Sequence, residues 1–214
     1  MRCNGLIVDP LKNLKNEVRK NTIDFWKNNL VIVNDLATPE NINFILEKND
    51  FDDKIDLFSI DIDGIDYWVI KELKKNISKI FVAEYNPYFG PDLEITVPYI
   101  KNFHRTSYHY SNLCWGVSLK SLIKIMADKN YSFVGSNEFR NNAFFVSNDY
   151  IDKIKLKKPN IENLYEFTNA TYRESRDKDG KLSFIEPKKI LEKIKDCEVI
   201  NLKDNKLVKI SELL

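Results

Sequence analysis

A chain of 214 residues with 33 basic and 32 acidic side chains has a formal net charge of +1, so it lacks the global field that gathers nucleic acid or an anionic membrane. Its 43% hydrophobic content is that of a globular protein, and no apolar run approaches the roughly 20 residues of a membrane span. The cysteines, Cys3, Cys114 and Cys197, are odd in number and widely spaced, and the start of the chain lacks a signal-peptide core. They read as buried small residues of a soluble cytoplasmic protein, not as a disulfide frame or a zinc site.

In chain order, apolar runs alternate with amphipathic ones. GLIVDP reads as a strand ending at Asp9-Pro10, and LKNLKNEVRKN has helical spacing at Leu11, Leu14 and Val18. LVIVNDL is a second strand. TPENINFILEKN starts as a helix should, with Thr38 as N-cap, Pro39 in the first position and Glu40 in the first turn. IDLFSIDI is a third strand and DYWVIKELKKN a third helix. KIFVAEYN is a fourth strand, stopped by Pro87. A loop rich in Pro, Tyr and His leads to the helix GVSLKSLIKIMADKN. The strands YSFVGS and NAFFVSN follow, and their short link favours an antiparallel pair. Strands separated by helices imply an α/β fold with a mainly parallel sheet covered on both faces. Such sheets bind ligands outside the carboxyl ends of their strands.

The texture changes near residue 151. DKIKLKKPN is a basic, polar linker. YRESRDKDGKLSFI centres on Asp179-Gly180, a hairpin signal. EPKKILEKIKD is a short helix and CEVINLKDNKLVKI a second hairpin. The division is a core over 1–150 and a C-terminal appendage over 151–214.

The site candidates cluster at strand ends. Asp61 and Asp63 point to one side of an extended chain, since side chains alternate with period 2. Glu84 and Asn86 repeat that spacing at the end of the next strand. If the two strands are neighbours, four oxygen-bearing side chains converge, a set that suits magnesium, manganese or calcium. Capping is the competing reading of Asp63, because Asp66 three residues on completes a box-like pattern before DYWVIKEL. Capping does not account for Asp61 or Glu84. Asp9 and Asp35 follow apolar runs and have two readings each, ribose contacts or turns, with the Asp-Pro turn favoured at Asp9. His104 and His109 are the only histidines, both in the aromatic stretch NFHRTSYHYSNLCW. A general base would come from them, unless that stretch is a packed surface loop. Arg173 and Arg176 fit a solvated hairpin with local ion pairs better than an anion clamp.

GLIVDP, DLATPENIN, IDLFSIDIDGIDYWVIKEL, VAEYNPYFGPDLEITVPY, GVSLKSL, NAFFVSND and YRESRDKDGKLSFI together resemble a bacterial branch of S-adenosylmethionine-dependent methyltransferases related to the FkbM-like family. The resemblance implies a Rossmann-like class I methyltransferase sheet with one antiparallel strand. It places Asp9 on the cofactor ribose, Asp35 near the adenine and Asp61 near the methyl group. It implies O-methylation of a sugar or related metabolite, with Asp61, Asp63 and His109 as catalytic candidates and Asp61, Asp63, Glu84 and Asn86 around any divalent cation. The acceptor is then a small molecule or glycan, with no nucleic acid and no membrane. The family's Gly-rich cofactor loop has no counterpart before Asp9, so the first strand is expected to be missing and S-adenosylmethionine binding weak. The alternative is a non-catalytic binding or partner module that keeps the carboxylate cluster.

Overall fold

β1 (Asn4–Val8) and β2 (Asn29–Val33) lie side by side in parallel, with Leu6 opposite Val31. They open a computed structural model that describes residues 4–14, 16, 18, 29–53, 55–155, 159–169 and 173–214. Most of the helix expected after β1 lies outside these residues; its described helical positions are 14, 16 and 18.

α1 (Ile42–Lys48) begins later than its capping signal suggests. Asn41 Oδ1 accepts from Thr38 N at 2.8 Å, and Asn41 N and Ile42 N both return to Thr38 O. The stretch Thr38–Asn41 is thus a side-chain-closed turn that leads into the helix, and Thr38 is not its N-cap.

The main sheet orders its strands β3 (Ile55–Ile60), β4 (Ser78–Glu84), β7 (Asn142–Ser147) and β6 (Tyr131–Ser136). β3 and β4 are parallel; β4–β7 and β7–β6 are antiparallel. Phe58, Ile60, Phe81, Ala83 and Phe145 point to the face that α2 (Asp66–Glu72) and α4 (Leu119–Asp128) cover. α4 presents Leu119, Leu122 and Met126 to that core, at helical spacing. Its N-cap is Ser118, whose Oγ accepts from Ser121 N.

A second core forms around Phe89, Ile95, Leu113, Cys114, Ile190, Ile194, Val199 and Ile210. Its sheet joins β5 (Ile95–Thr96) to the hairpin β10 (Glu198–Asn201) and β11 (Lys206–Lys209). Residues on both sides of position 150 build this core, including α6 (Ile190–Lys193). Between the cores run α3 (Arg105–Tyr108) and the Phe103 ring, which packs against both. β8 (Arg173–Arg176) and β9 (Leu182–Ile185) form a separate hairpin, and α5 (Tyr165–Thr168) precedes it. No helix among the described residues is long and apolar enough to cross a membrane.

The single, mainly parallel Rossmann-like sheet does not form. Strands lie in four small sheets, and among the described residues no strand bonds the β1–β2 pair to β3. Parallel pairing is two strands wide in each case, because the second neighbour of β4 runs the other way. β3 also lacks cover on both sides. Asp56, Leu57 and Ser59 are exposed, with Leu57 at 58%. The alternation of strands and helices is present, but alternation alone does not fix which edges meet. Without one continuous sheet, a missing central strand is no longer a feature of this fold.

Candidate metal centre

The β3–β4 register sets the site. Ile60 lies beside Ala83, so the next residues along the two parallel strands are Asp61 and Glu84. Both project on the face opposite Ile60 and Ala83. Glu84, the last residue of β4, is buried at 4% exposure, whereas Asp61 is open to solvent. Asp63 follows in a left-handed backbone conformation, φ 58°, a region that aspartate tolerates better than most residues. That turn swings its carboxylate back. One carboxylate oxygen from each of Asp61, Asp63 and Glu84 lies within 4.8 Å of the others. Ligands of one hard cation stand about 3 to 5 Å apart when metal–oxygen distances are about 2.0–2.6 Å, so the group is spaced for one ion.

Capping is not what Asp63 does. The N-cap of α2 is Ile65, which makes no side-chain cap. Asp66 closes the turn instead: its Oδ1 accepts from Ile62 N and its Oδ2 from Gly64 N, both at 3.0 Å. Burial pushes the Asp66 carboxyl up to about 6, against these two donors, which pull it down. Asp63 pairs with Arg105, whose guanidinium lies 3.0 Å from Asp63 Oδ1. Arg105 escaped the sequence reading, although it directly follows His104. Its only signal is a place in the loop whose histidines drew attention.

Asn86 is not part of the group. Its Nδ2 donates to Leu113 O at 3.0 Å and Trp115 O at 2.9 Å, and its Oδ1 accepts from Tyr88 N. The side chain is fully buried and stitches the end of β4 to the second core.

His109 stands in a different cluster, with Asp196 and Cys197. Its Nδ1 is 2.6 Å from Ser111 Oγ. His104 is exposed at the start of α3. Asp9 and Asp35 end β1 and β2, and each spends a carboxylate oxygen on a local amide: Asp9 Oδ1 accepts from Leu11 N at 2.7 Å and Asp35 Oδ1 from Leu36 N at 2.8 Å. The Asp9 bond reaches two residues on, the turn that aspartate makes with its own backbone, whereas the Asp35 bond goes to the next residue's amide. Arg176 pairs with Glu174 inside its hairpin, and the side chain of Arg173 lies outside the described residues.

An open cleft of about 620 Å³ lies elsewhere, lined by Tyr67, Lys71, Lys124, Asp128, Lys129 and Lys203 among others. Its volume makes it conspicuous, but several of its charges, Lys124, Glu94 and Lys129, have structural partners. Lys124 and Lys120 pair with Glu94, and Lys129 Nζ donates to the carbonyls of Lys71 and Leu73 at the end of α2. The carboxylate group, with three oxygens within 4.8 Å of one another, holds the more specific chemistry.

Comparison with protein-family models, with curated proteins and with solved structures gives no match in any of the three.

Proposed function

We propose that this protein binds a divalent hard cation through Asp61, Asp63 and Glu84 and, through the ion, a hydroxyl-bearing small molecule or glycan. The observation that carries this reading is the approach of three carboxylates to within 4.8 Å at the carboxyl ends of two parallel neighbours. Two of the three are solvent-exposed, so an ion held there keeps open positions for a water or an acceptor oxygen. A bound cation would lower the pKa of that hydroxyl and align it.

Methyl transfer from S-adenosylmethionine is the extension that the sequence resemblance suggests. One oxygen of Asp9 and one of Asp35, the carboxylates expected at the cofactor's ribose and adenine ends, already accept from Leu11 N and Leu36 N, which lends that extension no support. We therefore favour a binding module that keeps the carboxylate group.

Calorimetric titration with Mg²⁺, Mn²⁺ and Ca²⁺ tests the proposal. One ion per chain is expected, with affinity falling tenfold or more in Asp61→Asn, in line with the roughly 10–100-fold sensitivity of metal sites to their supporting groups. Binding of a sugar panel should then depend on the ion and vanish with chelator. No heat with any of the three ions, in protein that is folded by circular dichroism, sinks the reading.

A further inference from the structure

The second core brings together four side chains that the carboxylate site does not use. His109 follows α3, Cys114 lies in the loop before β5's bridge partner Val117, and Asp196 and Cys197 join α6 to β10. His109 Nε2 or Nδ1, Cys197 Sγ and an Asp196 carboxylate oxygen lie within 4.8 Å of one another. His109 and Cys197 are buried, at 8% and 5% exposure, and the Asp196 side chain is open at 68%. His109 Nε2 is buried with no aligned hydrogen-bond partner, although Asp196 Oδ1 stands 3.4 Å away.

We propose that His109 Nε2, Cys197 Sγ and an Asp196 carboxylate oxygen form a second metal site, built for a thiophilic divalent ion of the zinc class. Imidazole, thiolate and carboxylate together are the donor set that zinc and its borderline neighbours take, whereas magnesium and calcium avoid sulfur. The two sites therefore differ in chemistry as well as in place. Three protein donors and one exposed side leave a fourth, tetrahedral position open to solvent past Asp196.

The surroundings support the donors in the way metal sites require. Ser111 Oγ stands 2.6 Å from His109 Nδ1, to which Ser111 N–H also donates at 3.3 Å; ligation through Nε2 moves the ring proton to Nδ1, where Ser111 Oγ accepts it in place of that N–H contact. The backbone of Cys197 is fixed on both sides, its N–H donating to Ile194 O at 3.0 Å and its carbonyl accepting from Ile210 N at 3.1 Å. Cys114 and Cys197 are both buried in the second core, Cys114 fully, so the ligating sulfur is walled off from solvent on that side. Loading the site displaces the protons on Cys197 Sγ and His109 Nε2, so binding weakens as pH falls.

Cobalt(II) is the probe, because thiolate ligation gives a near-ultraviolet sulfur-to-cobalt charge-transfer band that carboxylate ligation does not. The protein is reduced and carries Cys3→Ser, which removes the third thiol. One equivalent of Co²⁺ should produce the band, and Zn²⁺ should displace it. Cys197→Ser should abolish it. Asp196→Asn, a change at an exposed side chain that spares the fold, should weaken cobalt binding roughly tenfold or more. Asp61→Asn should leave the band unchanged, which separates this site from the carboxylate centre. Absence of the band in folded protein, or a band that survives both Cys197→Ser and Asp196→Asn, overturns the proposal.

Discussion

Arg105 Nη1 and Asp63 Oδ1 stand 3.0 Å apart, so one carboxylate of the candidate centre already faces a cation from the protein itself. The pair is half open to water, with side-chain exposures of 33% and 63%, and its own contribution to stability is small. It also acts on an incoming ion, since the guanidinium repels the same charge that the carboxylates attract. Arg105→Gln should raise affinity for Mg²⁺ or Mn²⁺ by about twofold to fivefold, in keeping with the modest size of exposed charge pairs. Calorimetry at two salt concentrations reads it, because the gain should shrink as ionic strength rises. A loss of affinity would mean that Arg105 positions Asp63 more than it competes.

Asp66 gives the fold a pH signature. Burial raises its carboxyl from an ordinary 3.8 to about 6, so the folded chain holds a proton that the unfolded chain releases in that window. The sign follows: this group's stabilisation is complete below pH 3.8 and is lost as pH rises through about 6. The full swing is on the order of 3 kcal/mol, at about 1.4 kcal/mol per unit. Asp66→Asn mimics the protonated form. From pH 4 to pH 7, the stability of the mutant relative to wild type should therefore move in the mutant's favour by about 1–3 kcal/mol. Urea denaturation at both pH values measures it. A difference independent of pH would show that Asp66 ionises in the fold as freely as in the open chain.

Gly64 sits where the turn after Asp63 passes the ring of Phe103. A Cβ at that position would come within 2.2 Å of Phe103 Cδ1 and 2.4 Å of Cε1. Phe103 packs against both cores and cannot move without disturbing each. Gly64→Ala should cost about 1–3 kcal/mol, the usual range for overpacking. The part of that penalty due to the ring should disappear in a Phe103→Ala background, while the part due to the positive φ of 158° at this position remains. Additive losses in the double mutant would assign the glycine's role to its backbone instead of to the contact.

Much of the local order was legible because it rests on period and punctuation. The hairpin at Asp179-Gly180, the antiparallel partners YSFVGS and NAFFVSN, and the helix within GVSLKSLIKIMADKN, α4, all form as those signals imply. The approach of Asp61 and Glu84 followed from i, i+2 spacing once β3 and β4 proved to be neighbours. Sheet assembly was not legible, since nothing in an apolar run says which edge it will meet. Nor was the His109–Asp196–Cys197 cluster. Its members lie on distant segments with no ligand spacing, and only the second core brings them together. Asn86 misled for the opposite reason: its position matched a ligand's, while its amide was needed by three backbone groups.

That need distinguishes a ligand from a structural residue at position 86. Asn86 donates twice, to Leu113 O and Trp115 O, and accepts once, from Tyr88 N, all in full burial. Asn86→Asp keeps the shape and offers a better metal ligand, but it removes both donors and points a carboxylate at two carbonyl oxygens. If the residue held an ion with Asp61 and Glu84, the substitution would tighten Mg²⁺ or Ca²⁺ binding. The hydrogen bonds predict otherwise. Two buried carbonyls lose their partner, at about 1–3 kcal/mol each, and the carboxylate adds a buried charge. Asn86→Asp should therefore lower the urea midpoint sharply. Cation affinity, measured below that midpoint where the protein remains folded, should stay within about twofold of wild type, a shift under ~0.5 kcal/mol. Tighter ion binding with unchanged stability would restore Asn86 to the centre and require the β4 end to carry two ligands instead of one.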